Sequence, residues 1–81
     1  MTAKEAIQFE KERLEEHKIK LSKLYKEVNV IRERIESSTE EEDKEQLQSK
    51  LNTKLRKIAY LIGYIKGIEY HYLELRKFCK L

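Results

Sequence analysis

Apolar residues recur at every seventh position through the first half of the chain, at Ile7, Leu14, Leu21, Val28 and Ile35. Leu24 and Ile31 add the second heptad position toward the end of this stretch. The spacing predicts a long amphipathic helix with one coiled-coil seam. Thr2 followed three residues later by Glu5 is a capping-box pattern, so the helix is expected to begin at Ala3 and to run to about residue 36.

The pattern breaks at Ser37, Ser38 and Thr39, whose hydroxyls compete with helical hydrogen bonds, and Glu40, Glu41, Glu42 and Asp43 follow. Thr39 with Glu42, or Ser38 with Glu41, makes a second capping box, and the acidic run suits the positive end of a helix dipole. A turn over 37–39 and a second helix from about 40 to 80 follow. In this helix Leu51, Leu55, Ile58, Ile62 and Ile65 keep four-three spacing, while Leu61, Ile68, Tyr72, Leu75 and Cys79 form an overlapping stripe.

The expected fold is all-α: a single domain over 1–81, an antiparallel two-helix hairpin of the coiled-coil type, with dimerisation into a four-helix bundle. A continuous helix through 37–39 is the alternative, and the stacked N-cap signals speak against it.

Dimerisation is expected because the second helix carries more apolar surface than one partner helix covers. At ~100° per residue its apolar positions from Ile58 onward span about 220°, against a stripe of ~100° for an ordinary surface helix. One face holds Ile58, Leu61, Ile65, Ile68, Tyr72 and Leu75; the other holds Tyr60, Gly63, Tyr64, Gly67, His71 and Phe78. A turn near residue 38 sets this region opposite residues 1–18, where the second heptad position is occupied by Glu10 and His17. That half of the first helix is too polar to cover the surplus. Ala59, Gly63 and Gly67, at i, i+4 and i+8, form a ridge on which a crossing helix can approach closely. The candidate protein interface is therefore Ala59, Tyr60, Gly63, Tyr64, Gly67, His71, Tyr72 and Phe78. Tyrosines are enriched at such surfaces.

Composition narrows the picture. The 81 residues are 40% hydrophobic and 41% charged, with no Pro or Trp and 2 Gly, which suits helix and leaves no room for a two-domain enzyme. Cys79 is the single cysteine, so neither an internal disulfide nor a thiol-rich metal site is expected. The N-terminal stretch lacks the apolar core of a secretory signal, and no apolar run approaches the ~20 residues of a membrane span. A soluble, cytoplasmic protein that makes no membrane contact is expected.

Charge is segregated. The net charge is +3, yet residues 18–35 carry six basic and two acidic groups, 36–48 one and six, and 49–81 eight and two. In a hairpin Lys20 and Lys23 approach Lys54, Arg56 and Lys57, and Lys20, Lys23, Lys54 and Lys57 are the candidates for contacting phosphate. Acids within one turn, Glu16 by Lys20 and Glu27 by Lys23, give the contrary reading of a solvated mixed-charge surface.

No metal, cofactor or catalytic residue is expected. The residues three before His17 and His71 are Leu14 and Ile68, so the Glu-x-x-His pairs of a di-iron bundle are missing. There is no phosphate loop, no nucleophile-base arrangement and no set of arginines converging on a core cavity. The sequence points to a non-enzymatic interaction module, a regulator, adaptor or inhibitor that docks on itself or on another protein. A nucleic-acid-binding bundle is the alternative. The short Lys- and Glu-rich composition also suits a phage or mobile-element accessory protein.

Overall fold

The computed structural model describes residues 2–78, so the reading of Cys79 and the end of the second helix near 80 lies outside the described residues. Two helices fill nearly all of them: α1, Ala3–Ser37, and α2, Glu41–Phe78. They pack antiparallel as a hairpin 60 Å long and 15 to 16 Å across.

Each end of the turn has a chemical cause. Thr2 is extended at φ −79°, ψ 163°, and its side chain accepts from the Glu5 amide at 3.2 Å, as a cap at this position should. Ser37 and the Ser38 backbone close α1, while the Ser38 hydroxyl donates forward to Glu40 O at 3.4 Å. Ser37 Oγ donates to the Arg34 carbonyl at 3.2 Å and the Ser38 amide donates to Ile35 O at 3.3 Å. Glu40 stands at the head of α2, its carbonyl accepting the Lys44 amide at 3.1 Å. Glu41, Glu42 and Asp43 fill the first turn of α2, where the helix dipole favours negative charge. The break therefore spans 38–40, one residue later than the hydroxyl pattern indicates.

The core is a single seam. Val28 and Ile31 of α1 meet Leu51 and Ile58 of α2, and Leu21, Leu24, Ile35, Leu47 and Ile62 pack around them. Ile65 and Ile68 are also buried, further toward the open end. Each such side chain contributes roughly 1.5–3 kcal/mol on burial, which a lone pair of helices needs. Leu55, expected in the seam, is displaced to its edge at 37% exposed. Its neighbour Lys54 is half-buried, and its ammonium reaches Glu27 Oε2 at 2.8 Å.

Long-range pairs fix the register: Glu27 with Lys54, Lys18 with Glu69 at 3.6 Å, and Glu10 with His71 at 3.5 Å. The 58–75 stretch thus lies against the N-terminal half of α1. No helix among the described residues is long and apolar enough to cross a membrane.

Candidate functional site

The seam changes character where the first half of α1 turns polar. Its inward positions there are Glu10 and His17, spaced by seven from Leu24 and Ile31. Glu10 is buried, at 6% exposed. Its Oε1 lies 3.6 Å from Arg13 Nη1 and its Oε2 lies 3.5 Å from His71 Nδ1, but Oε2 has no hydrogen-bond partner. An acceptor taken from water and left unsatisfied costs on the order of 1–3 kcal/mol, more when charged.

Around it the polar side chains interlock. Arg13 donates to the Tyr64 hydroxyl, and its guanidinium also lies 5.2 Å from the Tyr64 ring centre. His17 Nδ1 donates to the Arg13 carbonyl at 2.7 Å, which fixes the neutral ring as the Nδ1–H tautomer. The same ring lies against Tyr64, centroids 4.9 Å apart. Tyr64 stacks in turn on Tyr60 at 6.4 Å. A half-buried aromatic and two cationic or titratable groups of α1 thereby plug the place where an apolar seam would continue.

A notch of about 330 Å³ opens beside this cluster, bordered by Glu10, Arg13, Tyr64, Ile68, His71 and the two glycines. A Cβ added at Gly63 or at Gly67 meets nothing within 4 Å. Neither glycine is required by the packing of α1 on α2, and neither has a positive φ. The hairpin itself gives no reason for glycine at these positions.

The expected interface residues divide. Ala59, Tyr60, Gly63, Gly67, His71 and Phe78 are exposed, with Tyr60 at 76%. Tyr64 is half-buried in the polar cluster. Tyr72 sits on the seam side, half-buried, with the Arg76 guanidinium 5.7 Å from its ring centre. Two exposed apolar residues of α2, Tyr70 and Leu73, were not marked by the sequence pattern, nor was the grip of Arg13 on Tyr64. The signal for Arg13 was present in its position, one turn from inward-facing Glu10 and opposite Tyr64 in the hairpin register.

The lysines also divide. Lys20, Lys23 and Lys57 border one groove of about 540 Å³, together with Arg56, Leu24, Tyr60, Leu61 and Glu27. Lys54 faces a neighbouring depression instead. Glu16 does pair with Lys20, at 3.8 Å, but Glu27 turns to Lys54 across the hairpin and leaves Lys23 without it. The hydrogen bond from Lys54, and then its charge, hold the Glu27 carboxyl below the usual carboxylate range, with Lys57 adding to the effect.

Among the described residues no group of three or more His, Cys, Asp or Glu side chains is placed to hold a metal ion. Neither a protein-family model, nor a curated protein, nor a solved structure matches the chain.

Proposed function

We infer that the chain is a small helical interaction module, non-enzymatic, that acts by docking the outward face of α2 on another helix. The observation that carries this reading is the pair Gly63 and Gly67, each facing open space in the hairpin. A helix-interior glycine costs about 1 kcal/mol relative to alanine, and close approach of a partner backbone is the ordinary compensation. The exposed Tyr60, one turn before the same glycines, adds a rigid aromatic contact. The docked helix belongs either to a second copy, which gives a dimeric four-helix bundle, or to a different protein that the module regulates, bridges or inhibits.

Photo-crosslinking tests the face. With benzoylphenylalanine in place of Tyr60, crosslinked product is expected in good yield; with the same group at exposed Glu12 on the outer side of α1, little is expected. Equal yields at the two positions would sink the reading. A second reading, phosphate binding, is favoured by the meeting of Lys20, Lys23 and Lys57 around one groove. It predicts affinity for generic duplexes that falls steeply with salt.

A further inference from the structure

The grooves just described are parts of one trough along a single side of the hairpin. Nearest the turn, Val30 and Ile31 lie between Lys26, Arg34, Lys50 and Lys54. Next comes the stretch floored by Leu24, Leu61 and Tyr60, and Glu27 borders both. The stack of Tyr60 on Tyr64 then leads into the glycine notch. From Arg34 back to Glu10 the trough follows about 36 Å of α1, at ~1.5 Å per residue.

Charge selects the occupant. Around the middle stretch Lys23, Arg56 and Lys57 take part in no ion pair among the described residues, and the local carboxylate of Glu27 is engaged by Lys54. Three cations that make no ion pair among the described residues thus surround an aliphatic and aromatic floor. A phosphate chain would neutralise this rim and leave Leu24 and Leu61 uncovered. A second copy brings the wrong charge: its residues 18–35 repeat the same six cations against two acids. Its acidic block near the turn has no free apolar side chain to offer, because Ile35 and Leu47 are packed into its own core. Its acid-rich residues 1–17, five acids against three bases, expose Phe9 as their one large hydrophobic side chain among the described residues, which makes no stripe.

We propose that the trough seats an acidic amphipathic helix of another protein, completing a three-helix bundle. The helix lays a Leu- or Ile-bearing stripe over Val30, Leu24, Leu61 and Tyr60 and sets Glu or Asp against Lys23, Arg56 and Lys57. Side chains at i, i+3, i+4 and i+7 match a groove of this kind. At the open end the glycines allow the incoming backbone to come close. The inference rests on the reading of α2 as a docking surface and names the partner that surface takes.

The test uses the whole chain and two synthetic helices of about 24 residues, the length that spans ~36 Å. Both carry the same Leu/Ala stripe, one with Glu and one with Lys on its flanks, and binding is read by fluorescence anisotropy. The Glu helix is expected to bind, the Lys helix at least about tenfold more weakly, with the difference shrinking as salt rises. The double variant Lys23→Glu/Lys57→Glu should reverse the preference. Both residues are exposed, so its circular dichroism and thermal midpoint are expected to match the parent.

Equal binding of the two helices, by the parent or by the double variant, overturns the proposal. So does absence of binding to the Glu helix, or its displacement by generic duplex RNA or DNA at lower concentration than by unlabelled Glu helix. The docking reading fails separately. If the Glu helix binds in a charge-dependent way and binds the Gly63→Ala/Gly67→Ala variant as tightly as the parent, the trough stands and the glycine contact that carries the docking reading does not. Crosslinking from position 60 to a partner of any kind, with no preference between the two helices, leaves the face and removes the acidic partner.

Discussion

The double variant Gly63→Ala/Gly67→Ala is expected to be more stable than the parent chain and worse at its task. Each substitution replaces a helix-interior glycine, with its extra unfolded-state entropy, by the best helix former, for about 1 kcal/mol apiece. No steric cost offsets this, since an added methyl at either position meets nothing within 4 Å. For a domain of this size each kcal/mol raises the thermal midpoint by roughly 4–8 °C, so a rise of about 8–16 °C is expected. Docking should move the other way, because two methyls then stand on the ridge where a partner backbone approaches. A loss of affinity of about tenfold or more, near 1.4 kcal/mol, is expected. Stability and binding read on one protein separate the possibilities: a stabilised variant that docks as well as the parent shows glycines with no role in contact.

The second large effect is expected at Glu10. It occupies an inward heptad position, is nearly fully buried, and leaves Oε2 without a hydrogen bond while Arg13 and His71 stand near 3.5 Å. Apolar replacement of buried ionic groups by residues of similar volume is often neutral or stabilising by about 1–4 kcal/mol. Glu10→Leu is therefore expected to raise the unfolding free energy by about 1–3 kcal/mol in urea titration, with Glu10→Gln falling between Leu and the parent. The leucine extends the seam of Leu24 and Ile31 toward the open end. A loss of stability of similar size would mean that the contacts of Arg13 and His71 with the carboxylate outweigh its burial, and the notch would then be a finished structural feature with no donor wanting.

Much of the hairpin was readable before any coordinates. The seven-residue spacing from Ile7 to Ile35 marks the inward side of α1, and its part from Leu21 to Ile35 packs in the core while Ile7 and Leu14 stay half-buried. The second seam was harder to read. Four-three spacing points to Leu55 as inward, but Leu55 is 37% exposed and the partly buried Lys54 beside it pairs with Glu27 across the hairpin. The hydroxyls mark the turn but not its edges: Ser37 Oγ and the Ser38 backbone amide bond back to carbonyls of α1, while Ser38 Oγ reaches forward to Glu40 O, so the break falls one residue later than the pattern indicates.

At the site, the surplus apolar face of α2 was legible from angular spread alone, and Glu10 and His17 were legible as inward polar residues. What was not legible depends on the pairing of two distant segments. That Glu27 prefers Lys54 to Lys23 requires the register of α1 on α2, and only this choice leaves Lys23 unpaired. The same register places Arg13 on Tyr64 and brings Leu24 beside Leu61.

The central claim is that the outward face of α2 is free in the hairpin and covered in the docked state, and the tyrosines test it directly. Tyr60 is 76% exposed and lies on this face; Tyr70 is 68% exposed and borders neither the notch nor the basic groove. Acetylation of the two by N-acetylimidazole, followed by mass spectrometry, should proceed at similar rates in the dilute free chain. With the acidic helix bound, the rate at Tyr60 should fall by about tenfold or more while Tyr70 keeps its own, as burial of one aromatic at an interface requires. A Tyr60 that stays as reactive as Tyr70 in every such complex would contradict the account.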